Sequence, residues 1–217
     1  MNFYGEFETD KVIRSYFPDL SYKGTFIEVG AARPDFLSLS RHFKETGWST
    51  IGVDANPVFA EMHRQAGNRI INVALSNYIA DDVDFQIMFS KDNAGYEGGV
   101  VTMESFSSLK PWSHVGSQMT NGLYKAKKII KVNVRTLDYL YDHDLADIKK
   151  VDVISIDVEG GELDVLKGLT NKNLYPTLFV IECLYNNRNA EEAAILGSMG
   201  YIKDKAQSHN HFYRKMN

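Results

Sequence analysis

The chain has one cysteine, Cys183, among its 217 residues. A disulfide within the chain is excluded, and the sequence reads as one made for a reducing compartment, the cytoplasm. Cys183 lies in an apolar run with no cation beside it, the setting of an inert thiol. No apolar run approaches the roughly 20 residues that a membrane span requires. The first residues lack the basic-then-apolar pattern of a secretory signal. Basic residues are not in excess: 24 Lys and Arg stand against 28 Asp and Glu, a formal net charge of −4. A nucleic-acid partner, which calls for a concentrated basic face, is not expected. The small basic run Lys125-Ala126-Lys127-Lys128 reads as solvated surface. Repeats, low-complexity tracts and linkers are also lacking, so one domain over residues 1–217 is the simplest organisation.

What is present is an ordinary soluble composition, 44% hydrophobic and 24% charged. Short apolar runs bounded by turn residues predict strands at 24–30, 49–54, 69–75, 83–89, 129–134, 151–157 and 177–182. Helical spacing falls between them at 9–17, 38–46, 57–65, 136–143, 161–168 and 190–199. Pro57 suits a first helical turn, and Thr136 is a natural cap. Residues 200–204 and 211–214 read as a closing hairpin. Strands alternating with helices imply a mostly parallel sheet covered on both faces, with an antiparallel C-terminal strand. Residues 90–128 break this rhythm with Gly, Ser and aromatics, and read as an insertion that is either a functional loop, the candidate substrate lid, or a disordered one.

In an open parallel sheet, ligands bind beyond the C-terminal ends of the strands. Four acidic positions fall there. Glu28 precedes Gly30 and Ala31 in Glu28-Val29-Gly30-Ala31-Ala32. A carboxylate at Glu28 suits an ammonium group and opposes a pyrophosphate. The second and third glycines of a dinucleotide motif are missing, which argues against the rival reading of an NAD-dependent oxidoreductase. Asp54 ends the next strand and suits the hydroxyls of a ribose. Asp157 and Glu159 end the most apolar strand, where a charge is costly unless used. Glu162, just beyond, reads as favouring a helix N-terminus. Glu182 closes the following strand. If those two strands are neighbours, Asp157 and Glu182 flank one cleft, where they could hold Mg²⁺ or supply a general base. Of six histidines, His42 and His63 read as surface residues on helices. His114 and His209 are secondary candidates for a base, and His209-Asn210-His211 lacks the partners of a metal site.

The segments Phe26-Ile-Glu-Val-Gly-Ala31, Gly52-Val-Asp-Ala-Asn-Pro57, Asn72-Val-Ala-Leu-Ser76, Val134-Arg-Thr-Leu-Asp138 and Ser155-Ile-Asp-Val-Glu-Gly-Gly-Glu162 occur in this order. Together they make the chain resemble the FkbM family of methyltransferases over roughly residues 24–185. The resemblance implies a Rossmann-like three-layer α/β/α sandwich and S-adenosyl-L-methionine as cofactor. It implies O-methylation of a sugar, glycan or natural-product hydroxyl. It places Glu28, Gly30 and Ala31 at the methionine part of the cofactor, Asp54 and Ala55 at the ribose, and Ala74 and Leu75 at the adenine. Asp157 and Glu159 fall near the methyl group, with Glu182 beside them. The run Ala31-Ala-Arg-Pro-Asp-Phe36 departs from the further glycines common in methyltransferases. A nucleoside-binding module without catalysis is the remaining rival.

Overall fold

A computed structural model describes residues 1–90, 103–109, 124–183 and 188–216. The most apolar runs take the centre of its main sheet. β1 (Thr25–Val29), β7 (Val153–Ile156) and β8 (Leu178–Glu182) are adjacent, parallel and buried on both faces. Apolar runs without alternation encode that placement. β2 (Ser49–Val53) and β3 (Arg69–Ile71) extend the sheet on one side. β10 (Asn210–Lys215) and β9 (Tyr201–Gln207) extend it on the other. The order is β3-β2-β1-β7-β8-β10-β9, and β10, last in sequence, runs antiparallel to both neighbours.

Helices cover both faces. On one, α1 (Thr9–Ser15) and α2 (Arg41–Glu45) bring Ile13 and Phe43 against Phe26, Val153, Val180 and Phe212. On the other, α4 (Leu137–His143), α5 (Glu162–Lys167) and α6 (Asn189–Ser198) pack Leu140, Val165 and Leu196 with Ile27, Ile154 and Phe179. The expected α/β/α sandwich is the observed one. Helix starts follow side-chain chemistry. Asn56 Oδ1 accepts from the Val58 N–H at 3.0 Å at the head of α3 (Pro57–Gln65). Thr136 Oγ1 accepts from the Tyr139 N–H at 3.0 Å at the head of α4. No described helix is long and apolar enough to cross a membrane.

Three expectations need correction. The run 69–75 is two strands. β3 stops at Ile71, the Asn72 side chain donates to the Asp54 carbonyl at 2.8 Å, and the chain turns. β4 (Ala74–Leu75) then joins a second sheet, ordered β4-β6-β5, with β5 (Ala80–Ser90) and β6 (Tyr124–Arg135). An apolar run of seven residues does not distinguish one strand from two when a side-chain amide supplies the break. The 90–128 insertion is also shorter than expected, because residues 124–128 already belong to β6. Within it, Met103–Phe106 is a 3-10 turn, and Ser108 exchanges backbone bonds of 3.0 and 3.1 Å with Gln86 of β5. His114 and the rest of the insertion lie outside the described residues. Finally, His42 and His63 are buried. His42 lies between the Asn2 carbonyl and Arg14, and His63 between the Ala32 carbonyl and Asn68.

Candidate functional site

The chain leaves β1 toward β2 on one side and enters β7 on the other. At such a switch the loops after adjacent strands diverge and leave a crevice. A cavity of about 580 Å³ opens there, within the range of small-molecule sites. Every residue expected to bind cofactor lines it: Glu28, Gly30, Ala31, Asp54, Ala55, Ala74 and Leu75. So do the three expected catalytic acids, Asp157, Glu159 and Glu182.

Gly30 sets the crevice floor. Its φ is +79°, its N–H donates to the Val53 carbonyl at 2.9 Å, and a Cβ there would sit 1.6 Å from the Asp157 carbonyl oxygen. The loops after β1 and β7 touch at this point because no side chain separates them.

Glu28 is buried on β1 and holds the next loop in place. Its Oε1 accepts from the Leu39 N–H at 2.7 Å. Its Oε2 accepts from the hydroxyls of Ser38 and Ser40 and from the Ser40 N–H. Burial pushes its carboxyl above the usual range, and the Ser40 hydroxyl and Leu39 N–H pull against that. Glu28→Ala leaves several of these donors unpaired. We expect a loss of stability on the order of 3 kcal/mol, read as a lower urea midpoint at unchanged m.

Asp54 follows β2. Its Oδ1 accepts from the Asn56 N–H at 2.7 Å and its Oδ2 from the Ala32 N–H at 2.8 Å. Burial pushes its carboxyl up to about 6, and the nearby Asp157 adds to the rise. Asn56 beside it is buried, lines the cavity and leaves its Nδ2 without a hydrogen-bond partner.

The acids after β7 and β8 meet at the other end, since the two strands are neighbours. Single carboxylate oxygens of Asp157, Glu162 and Glu182 lie within 4.8 Å of one another. Burial pushes Glu159, Glu162 and Glu182 upward, and desolvation in the cavity raises the more exposed Asp157 as well. Repulsion from Asp157 raises Glu159, Glu162 and Glu182 further, whereas a hydrogen bond from Glu182 offsets part of the rise at Asp157. Glu159 is held in the left-handed region at φ 56°, and its carbonyl accepts from the Ser108 hydroxyl at 3.2 Å. Glu159 Oε2 and Glu182 Oε2 are buried without a hydrogen-bond partner. Glu162 does more than favour a helix start. Its Oε1 accepts from the Gly160 N–H at 2.8 Å and the Val158 N–H at 3.2 Å, shaping the turn that carries Glu159.

Sequence reasoning missed the serine clamp on Glu28, the orphaned amide of Asn56, and Glu6 and Phe7, which also line the cavity. The clamp had a signal, two serines beside a predicted helix start. The N-terminal pair had none, because nothing local brings residue 6 to the end of β7. His209 lines the cavity, and its carbonyl accepts from the Cys183 N–H at 2.7 Å. His211 points elsewhere: Glu192 Oε1 lies 2.8 Å from its Nδ1, with Cys183 close by.

No curated protein matches the chain. Among solved structures it is similar to a ribosomal protein L11 methylase from Lactobacillus delbrueckii subsp. bulgaricus, at 10% identity and a TM-score of 0.43 over 96% of this chain and 78% of that one. It is also similar to a precorrin-6y C5,15-methyltransferase from Geobacter metallireducens GS-15, at 11% identity and a TM-score of 0.45 over 96% and 89%. The profile of the Methyltransferase FkbM domain matches residues 28–211. That span begins at the buried Glu28 and runs past the acids of β7 and β8 to β10. The chain therefore belongs to the FkbM methyltransferase family.

Proposed function

We propose that the chain is an S-adenosyl-L-methionine-dependent O-methyltransferase, one domain over residues 1–217. Its acceptor is a hydroxyl on a sugar, glycan or natural product, and it works in the cytoplasm. The observation that carries this reading is the pair of orphaned oxygens, Glu159 Oε2 and Glu182 Oε2. Buried carboxylates without partners call for a cation, and a pyrophosphate would meet repulsion there. The other features fit the same cofactor. Gly30 and Ala31 give backbone access for a methionine chain, and Glu28 fixes the loop beside it. Asp54 offers a carboxylate to ribose hydroxyls. Ala55, Asn56, Ala74 and Leu75 make an apolar slot with one unpaired amide for an adenine.

Bound there, the cofactor supplies an electrophilic methyl group. The chain's own task is to align the acceptor oxygen and take its proton. Alignment alone is worth about 7–11 kcal/mol in favourable cases. Glu159 is the base: it lines the cavity, its Oε2 is buried without a partner, and burial with the nearby Asp157 raises its affinity for a proton. Asp157 and Glu182 stand beside it with carboxylate oxygens within 4.8 Å of each other. Asp157, Glu162 and Glu182 are also spaced to accept Mg²⁺, which prefers oxygen ligands. Under that second reading, S-adenosylhomocysteine affinity rises with Mg²⁺ and falls with EDTA; under the first it ignores both.

Calorimetric titration with S-adenosylhomocysteine and NAD side by side tests the assignment. Heat with the former alone supports it, and heat with NAD alone overturns it. Asp54 sets a pH signature. Ionised, it is the stronger acceptor and offers both oxygens to ribose hydroxyls, so affinity for S-adenosylhomocysteine should fall as pH drops through about 6. Between pH 7.5 and pH 5 the loss is about tenfold. Asp54→Asn should flatten the profile.

A further inference from the structure

A second cluster of ligand-type side chains lies under α6, on elements that also carry the cavity. His211 and Tyr213 are two residues apart on β10, so both point to one face of the sheet. They pair in register with Ile181 and Phe179 of β8, and Cys183 continues that row just past Glu182. α6 covers this face, and Glu192 reaches down from it until its Oε1 lies 2.8 Å from His211 Nδ1. Cys183 Sγ, a ring nitrogen of His211 and a carboxylate oxygen of Glu192 all lie within 4.8 Å of one another. None of the three lines the cavity. Glu192 is 1% exposed and His211 7%, whereas Cys183 is only partly buried, so the cysteine is the member that reaches solvent. No local spacing announces the set, because a strand, a helix and a second strand each bring one member.

Donor chemistry narrows the cation. Mg²⁺ and Ca²⁺ take oxygen ligands, whereas a thiolate, an imidazole and a carboxylate together suit Zn²⁺. Bonds of about 2.0–2.3 Å set the ligand atoms of a tetrahedral zinc about 3.3–3.6 Å apart. Small side-chain rotations bring the three atoms to that spacing. A second observation points to the same place. Tyr213 is 1% exposed, and its hydroxyl is buried without a hydrogen-bond partner among the described residues. Burial pushes that hydroxyl upward, and Glu192 and Cys183 stand near enough to add to the rise. A buried hydroxyl beside three metal-type ligands lacks what a metal-bound water would supply.

We propose that Cys183, Glu192 and His211 form a Zn²⁺ site that pins α6 to the end of β8, with a water as fourth ligand held by the Tyr213 hydroxyl. Binding sends the thiol proton of Cys183 to solvent and leaves a thiolate on the metal. Asn189 Oδ1 accepts from that thiol at 3.0 Å; once the proton is gone, the Asn189 amide turns to donate to the sulfur. The site stands whether or not the cavity takes S-adenosyl-L-methionine.

Co²⁺ is the probe for the coordination and Zn²⁺ for the affinity, on the full chain after dialysis against a chelator. Co²⁺ should give a thiolate-to-metal charge-transfer band in the near ultraviolet and the intense visible bands of a four-coordinate ion, saturating at one metal per chain. The chain has a single cysteine, so that band has one possible source. Zn²⁺ in 100-fold excess over its Kd should raise the melting temperature by about 5–10 °C. Cys183→Ser should abolish the band and weaken Zn²⁺ by more than about 100-fold, and Tyr213→Phe should keep the band and weaken Zn²⁺ about tenfold. Asp157→Asn should leave the band unchanged, because the acids of the cavity offer oxygen alone. No charge-transfer band in the wild type overturns the proposal, and that spectrum decides even if a variant melts early. A band that survives Cys183→Ser or saturates at one metal per two chains overturns it too. Unaltered affinity in Tyr213→Phe removes the held water from the site.

Discussion

Gly30→Ala is expected to abolish S-adenosylhomocysteine binding and to lower the melting temperature by about 5–15 °C. Two costs add. An L-residue in the left-handed region loses roughly 1–2 kcal/mol. The new methyl would lie 1.6 Å from the Asp157 carbonyl oxygen, so the ends of β1 and β7 must part. Forcing extra volume into packed structure costs about 1–3 kcal/mol more, and each kcal/mol is worth about 2–4 °C in a chain of this size. The displaced segment is the one that carries Asp157 and Glu159, so the binding loss should exceed the stability loss. Calorimetric titration on protein shown folded by circular dichroism checks this. Near wild-type affinity would mean that the crevice floor does not touch the ligand.

Glu159→Gln and Glu182→Gln should move stability and activity in opposite directions. Burial holds both carboxyls well above their ordinary range, with repulsion from Asp157 adding to the rise. The sign follows. The folded state keeps protons that the unfolded chain releases, so stability is highest at low pH. It declines as pH rises from the ordinary carboxylate range through the raised values. A neutral amide removes that decline. Each variant should melt several degrees above the wild type at pH 8 and no higher at pH 5. Methyl transfer from labelled cofactor should fall about 10²–10⁴-fold for Glu159→Gln, the loss of a positioned base. A variant that melts lower at pH 8 would show that these acids support the fold rather than burden it.

The sheet and its covering helices were legible because their signals are local. The runs at β1, β7 and β8 are apolar without alternation, Pro57 and Thr136 mark helix heads, and glycines close the elements. The cavity residues were legible because acids at the ends of parallel strands fall where an open sheet binds ligands, although Glu28, Asp54 and Glu162 also hold the adjoining loops. What escaped depends on distance in sequence. Ser38 and Ser40 reach back to Glu28, and Asn72 breaks a strand by bonding Asp54. The same holds for the two histidines that read as exposed. Helical spacing placed His42 and His63 correctly on helices. It could not show that the N-terminal residues would cover one and the loop after β1 the other.

The break at Asn72 has a consequence for how such a molecule could be rebuilt. Because β4 leaves the main sheet, the side of the cavity lined by Ala74, Leu75 and Phe85 belongs to a separate three-strand module. The seven-strand ladder contains no bond to β5 or β6. The hairpin meets the acids through Ser108, which bonds both Gln86 and the Glu159 carbonyl. It is thus a graft point: a hairpin of another length or composition could be exchanged there while the central ladder and the crevice floor keep their register. Changing that hairpin and preserving the crevice floor become separable engineering problems.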